Sequence, residues 1–229
     1  VSVYFCCLFF VFCCFFFSFN LILMPVSPPK VTVRLPGDEE TSWVDLTEQL
    51  NRNRILFLCE ELDTDISNDI IGLMLYFGMG DNTQDLYLFI NSPGGEILNG
   101  IAVHNVMQFV PTPVSTICLG MAASTAAYIL VGGEYKKRVA FPHARIMIHN
   151  PSITFFADKK KREASILLKG LEELLSIRET VARGYYERTG KPLWIISQDL
   201  ERDFFMSATE AKAYGIVDLI KGTSKKQNI

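Results

Sequence analysis

The run Val114-Ser-Thr-Ile-Cys-Leu-Gly-Met-Ala-Ala-Ser-Thr-Ala-Ala127 decides how this chain is read. Val114 to Leu119 is apolar and rich in β-branched residues, the pattern of a buried strand. Gly120 is expected to break that strand, and the small residues Ala122, Ala123, Ala126 and Ala127 allow a following helix to pack closely. A strand that turns sharply into a helix presents Ser124 at the elbow. The next backbone N–H groups then lie at the positive end of the helix, where they can stabilise an oxyanion. The competing reading makes Ser124 a helix N-cap, since serine at a helix start commonly accepts from backbone donors.

Working outward, the strand-like Leu86 to Ile90 runs into Asn91-Ser-Pro-Gly-Gly95, where two successive glycines let the backbone approach a bound peptide closely. Three histidines are candidates for a general base, a role that suits a side chain titrating near neutrality. His104 lies mid-helix among Val103, Asn105 and Val106, and His143 follows Pro142 at a turn; both read as structural or solvated. His149 closes the strand Arg145-Ile-Met-Ile-His149. The run Asp199-Leu-Glu-Arg-Asp203 offers three carboxylates, any of which is equally an ordinary solvated charge. In chain order these supply a nucleophile, a base and an orienting acid.

Leu88-Phe-Ile-Asn-Ser-Pro-Gly-Gly95, Met107-Gln-Phe109, the Ser124 elbow, Phe141-Pro-His-Ala-Arg-Ile-Met-Ile-His149, Arg188-Thr-Gly-Lys-Pro-Leu-Trp194 and Glu201-Arg-Asp203 through Asp218 occur in this order. From Met24 to about Ile220 the chain thereby resembles ClpP, the proteolytic subunit of the Clp protease, and most of all its plastid-encoded form. The resemblance implies an α/β fold of the ClpP/crotonase type, with repeated βαβ units and a long protruding handle helix. It assigns Ser124 as nucleophile, His149 as base and Asp203 as orienting acid, with Asp199 second and with Phe204, Phe205 and Met206 expected to bury Asp203. It places the oxyanion hole on the backbone amides of Gly95 and Thr125.

Thr125 stands where Met is usual, Ala126 where Gly is usual and Asn150 where Gln is usual. Because the donors are main chain, the Thr125 side chain is expected to matter little, whereas a methyl at Ala126 leaves room for crowding. Glu201 and Arg202 match positions of inter-subunit ion pairs. Ala157-Asp-Lys-Lys-Lys-Arg-Glu163 lengthens the handle region, where a charge run is otherwise a solvated face.

The implied function is an ATP-dependent serine endopeptidase subunit in stacked heptameric rings. It is fed unfolded polypeptides by a Clp-family AAA+ chaperone in the plastid stroma. The subunit is expected to need no cofactor, ATP being hydrolysed by the partner. The alternatives are a catalytically impaired structural subunit of the same complex, an enoyl-CoA hydratase-like enzyme on the related fold, and a membrane-anchored peptidase. The hydratase has no use for a Ser-His-Asp set.

Composition narrows the classes further. A formal net charge of −3 gives no basic footprint for nucleic acid. Of the six cysteines only Cys59 and Cys118 lie outside the N-terminal stretch, and neither has zinc spacing; both are expected to be reduced, buried thiols. Residues 1–23 carry no charge and eight of the seventeen Phe, long enough on hydropathy to span a bilayer. They lack the marks of a signal or transit peptide, and a gene-model extension is the expected reading, with membrane association disfavoured.

Residues 24–54 read as an axial segment and lead-in, 55–220 as the peptidase domain and 221–229 as a polar tail. Within the domain the pattern predicts strands at 55–59, 86–90, 114–119, 137–141, 145–148 and 216–220, and helices at 65–79, 97–109 and 124–132. A long helix over 158–188 ends at Gly190 and Pro192, and a capping box at Ser207-Ala-Thr-Glu210 opens a short helix stopped by Gly215.

Overall fold

The computed structural model describes residues 29–33, 42–80, 83–151 and 164–222, with nothing said of the side chains of 164–168. The apolar leader, residues 24–28 and 34–41 of the axial segment and lead-in, the basic run before the long helix and the last seven residues lie outside this set. The chain forms two compact units, residues 1–49 and 50–229. In the first, β1 (Lys30–Val33) and β2 (Ser42–Asp45) pair antiparallel, Val31 opposite Val44. The Leu46 amide closes this hairpin on the Pro29 carbonyl at 2.8 Å, and helix α1 (Leu46–Arg52) begins there.

The second unit is built on a parallel sheet. Its strands β3 (Ile55–Leu58), β4 (Leu86–Ser92), β5 (Val114–Ala123), β6 (Arg138–Ala140) and β9 (Leu219–Ile220) lie side by side in that order. Helices α2 (Thr64–Gly80) and α3 (Ile97–Phe109) make the first two crossovers, as expected for βαβ units. Alternation along β3 and β4 buries Leu56, Leu58, Leu86, Leu88 and Ile90 against Ile70 and Met74 of α2 and Val103 and Met107 of α3. The opposite face shows Phe57 stacked on Phe89 at 5.5 Å with Tyr87 exposed beside them, so the helices cover one side of these strands.

Gly120 does not end β5. The strand runs on to Ala123 because two substitutes replace its lost partners. The Asn91 side-chain oxygen accepts from the Met121 amide at 3.1 Å where the β4–β5 register shifts, and β7 (Arg145–Ile148) takes up Met121, Ala122 and Ala123 in parallel. Helix α4 (Thr125–Val131) follows, with every residue buried. The long helix α5 (Ala164–Thr189) ends at Gly190, whose φ is +70°. Sequence reading missed α6 (Leu193–Asp199) and β8 (Phe204–Ser207), both too short for periodicity to register.

The capping box at α7 (Ala208–Tyr214) is present in both directions, and Gly215 closes the helix at φ 98°. Arg138 and Asp218 fasten β9 to β6 through two side-chain bonds of 2.8 and 2.6 Å. Burial raises the Asp218 pKa, but the bonds and charge of Arg138 outweigh it and hold the carboxyl below its ordinary value. Cys118 is buried, which pushes its thiol up to about 12, whereas Cys59, expected to be buried, is exposed just beyond the end of β3.

His104 is buried and stacks on Tyr128 of α4 with ring centroids 4.5 Å apart. Burial, with the Arg188 charge second, pushes its imidazole down to about 4, and its Nε2 has no hydrogen-bond partner among the described residues. The folded chain thus holds His104 neutral while the unfolded chain protonates it near pH 6.5. Stability from this group is full above that pH and falls as the pH drops from there towards 4. Between pH 6.5 and 5 the expected loss is about 2 kcal/mol. Urea unfolding of wild type across that window should show it, and His104→Phe, which keeps the stack on Tyr128, should flatten the slope.

Candidate active site

At the elbow between β5 and α4, Ser124 has φ 55° and ψ −122°, a left-handed conformation that a residue bearing a Cβ rarely adopts. Its side chain caps nothing, which removes the N-cap reading. Strain of this kind costs roughly 1–3 kcal/mol and persists only where the surroundings over-determine it. Here the Ser124 amide donates to the Met147 carbonyl at 2.8 Å, and the Ser124 carbonyl accepts from the amides of Ala127 and Tyr128 at 3.0 and 3.3 Å. Both sides of the bend are thereby held: β7 fixes the entry, and the buried helix fixes the exit.

Strand register then brings two more side chains to the serine. Ala123 lies opposite Met147 in the parallel β5–β7 ladder, so His149 emerges just beyond the end of β7, beside the elbow. Ile148 lies opposite Phe204 in the antiparallel β7–β8 ladder, which puts Asp203 across from His149. His149 Nε2 lies 2.8 Å from Ser124 Oγ and His149 Nδ1 lies 2.9 Å from Asp203 Oδ1. The two ring nitrogens face different groups, and in the tautomer with the proton on Nδ1 that nitrogen donates to the carboxylate while Nε2 accepts from the serine hydroxyl.

Asp203 is not buried as expected. Its side chain is 63% exposed in the chain, and His149 is 31% exposed. Pleating explains the difference: Phe204 turns towards Tyr214, with ring centroids 5.9 Å apart, and Phe205 is exposed, so neither covers the carboxylate.

The glycine pair lies against the same elbow. At Gly94, with φ 99°, an added Cβ would stand 2.7 Å from the Ala123 carbonyl oxygen and 3.1 Å from the Thr125 amide nitrogen. At Gly95 it would meet the Leu62 carbonyl oxygen at 2.1 Å, because Leu62 bridges this segment through bonds to the Gly94 carbonyl at 2.8 Å and the Glu96 amide at 3.1 Å. Ser92 steadies the turn by accepting from the Gly94 amide at 3.1 Å. Sequence reading missed the roles of Ser92 and Leu62. The Ser-Pro-Gly spacing of an ST-turn was a usable signal for the first; the second is a long-range contact with no local mark.

The Thr125 side chain, expected to matter little, makes a contact of its own. Its Oγ1 donates to the Gly95 carbonyl at 2.9 Å, and the residue is buried.

Of the other acids, Asp199 is taken up by the Tyr214 hydroxyl at 3.0 Å, away from the imidazole. Glu201 pairs with Arg178 of α5 in the same chain, and Arg202 lies over the Phe204 ring at 5.7 Å. Asn150 donates its backbone amide to the Leu200 carbonyl at 2.7 Å, which ties the residue after His149 to the segment leading to Asp203. His143 is exposed, as its turn position implies. Among the described residues no group of three or more His, Cys, Asp or Glu side chains is placed to hold a metal ion, and no helix is long and apolar enough to cross a membrane.

The strained serine elbow on the parallel sheet thus brings a hydroxyl, an imidazole and a carboxylate into one line. The family model described as Clp protease matches residues 37–224. The ATP-dependent Clp protease proteolytic subunit of Nuphar advena is 55% identical over 197 residues, covering 86% of this chain and 96% of that protein. The proteins of the same name from Coffea arabica and Nicotiana tabacum are each 56% identical over 197 residues, covering 86% of this chain and 98% of theirs. The chain belongs to the Clp protease family.

The contact at Gly95 predicts a large and local effect of one methyl group. Gly95→Ala should lower stability by about 2 kcal/mol or more, since a β-carbon cannot coexist with the Leu62 bridge. Gly72→Ala, on α2 with nothing within 4 Å of the added carbon, should instead raise it by up to about 1 kcal/mol. Denaturant midpoints of the two variants, read against wild type, check the opposite signs.

Proposed function

We propose that this chain is the serine endopeptidase subunit of an ATP-dependent Clp protease, with Ser124 as nucleophile, His149 as general base and Asp203 as orienting acid. The observation that carries the reading is the unbroken line from Ser124 Oγ through the imidazole to the Asp203 carboxylate, at 2.8 and 2.9 Å. Ser124 Oγ attacks the peptide carbonyl carbon as its proton passes to His149 Nε2. The resulting oxyanion is met by the amides of Gly95 and Thr125. His149 then returns the proton to the leaving amine as the C–N bond breaks, leaving an acyl ester on Ser124. Water, activated by the same imidazole, hydrolyses that ester. Asp203 stays ionised throughout and stabilises the imidazolium.

The Leu62 bridge supports the oxyanion assignment. It engages the Gly94 carbonyl and the Glu96 amide on one edge of the segment, which leaves the Gly95 amide directed to the other, where Thr125 lies. The reaction draws on no cofactor in this subunit; ATP is consumed by a Clp-family AAA+ chaperone that delivers unfolded polypeptides. We place the chain in stacked heptameric rings with other Clp proteolytic subunits, in the plastid stroma. Plant relatives support the last point, and α5 supports the first, since Leu171 and Leu175 are 47% and 59% exposed along it and need a neighbour to cover them.

Ser124→Ala and His149→Ala should each lower hydrolysis of a short fluorogenic peptide on the order of 10³-fold or more, with assembly intact. Wild type should be labelled by a fluorophosphonate on Ser124. Assembled wild type that neither cleaves the peptide nor takes the label would point to the structural-subunit alternative. For the ring contact, Leu171→Glu combined with Leu175→Glu should shift sedimentation from double to single rings and lower activity in proportion. A fully active small species would refute the chamber.

A further inference from the structure

We propose that the Thr125 hydroxyl is a positioning group that ties the two oxyanion-binding amides to each other. This role rests on the peptidase reading above. Thr125 contributes one of those amides from its backbone, and its side-chain Oγ1 donates to the carbonyl of Gly95, which contributes the other, at 2.9 Å. In extended backbone the N–H and C=O of one residue point to the same edge, so holding the Gly95 carbonyl also sets the direction of the Gly95 amide. The Leu62 bridge grips the opposite edge through the neighbouring residues. Thr125 is therefore the side chain that holds Gly95 from the elbow side.

Three observations make this a built contact. Thr125 is 2% exposed, so water does not compete for the bond and its contribution is not diluted by solvent. The Thr125 methyl fills the notch left by Gly100 of α3, where an added Cβ would fall 1.9 Å from Cγ2. Oγ1 and Cγ2 branch from the same Cβ, so seating the methyl in that notch fixes χ1 and with it the direction of the hydroxyl towards Gly95. Three segments meet at one side chain: the turn after β4, the start of α3 and the start of α4. Methionine, usual at this position in the resembling sequences, has no hydroxyl to donate and cannot make the tie.

Displacing one oxyanion donor by a fraction of an ångström weakens the transition state while leaving ground-state peptide binding alone. The expected signature is a fall in kcat with KM unchanged. Thr125→Val removes the hydroxyl at constant shape and should lower kcat about 10-fold, less than the ~10²–10³ seen when a donor is removed outright. Thr125→Ser keeps the hydroxyl and should stay within about 3-fold of wild type. Affinity for a peptide boronate, which places an oxyanion in the same site, should fall in step with kcat.

The test is steady-state hydrolysis of a fluorogenic dipeptide together with boronate inhibition, on assembled wild type, Thr125→Val, Thr125→Ser and Thr125→Ala. If Thr125→Val does not assemble, Thr125→Ser against Thr125→Ala isolates the hydroxyl without the methyl, and the same 10-fold ratio is expected. Equal kcat in Ser and Ala, or Thr125→Val within 2-fold of wild type, would overturn the tie. Failure of wild type to take a fluorophosphonate label would instead overturn the peptidase reading on which it rests, so the two failures are distinguishable.

Discussion

Everything at the site hangs on the backbone of Ser124 being forced to φ 55°. A regular strand that ran on would carry the hydroxyl away from β7, and a regular helix begun earlier would turn it into the preceding residues. The bend is held because the Ser124 amide completes the β5–β7 ladder on Met147 while the next seven residues are all buried. Burying a single side chain such as Ile129 or Leu130 contributes roughly 1.5–3 kcal/mol. Several such residues in α4 outweigh the ~1–3 kcal/mol of local strain. The elbow is stable because the helix that follows it has nowhere else to go.

Once that bend exists, geometry propagates by strand pairing rather than by contacts among the three side chains. His149 and Asp203 reach Ser124 because β7 is shared between a parallel ladder to β5 and an antiparallel ladder to β8. A slip of one residue in either would invert the faces and undo the line. The capping box at Ser207 and Glu210 guards the second register, since Ser207 is at once the last residue of β8 and the N-cap of α7. The Asn150 amide on the Leu200 carbonyl guards it from the other end.

The charges divide by burial. Arg138 is buried and makes a two-pronged pair with Asp218 plus a 3.1 Å bond to the Arg188 carbonyl; losing the Asp218 carboxylate would strand a desolvated guanidinium, a loss of about 3 kcal/mol or more. The His149–Asp203 pair is largely open in the isolated chain, where such a bond contributes little to stability. Its effect is on geometry: it fixes the orientation of the imidazole beside Ser124.

Much of this was legible in the residues themselves. The strand periodicity, the α3 boundaries, the capping box at Ser207 and the left-handed stop at Gly215 are local properties of short stretches, written in side-chain size and polarity. His149 stands out from His104 and His143 as the histidine that closes a strand, and the family resemblance pointed to it as the base. Asp203 could be separated from Asp199 and Glu201 only by resemblance, and its exposure was misjudged because neighbouring aromatics on a strand alternate between faces.

What tertiary structure alone decided was where β5 stops, how Leu62 grips the glycine pair and what the Thr125 hydroxyl touches. β5 outlasts Gly120 because Asn91, some thirty residues earlier, supplies the missing acceptor. Thr125 meets Gly95 only because Gly100 leaves a notch for its methyl. These are contacts between segments distant in sequence, set by hydrogen-bond satisfaction and close packing, and neither quantity exists until the chain has folded.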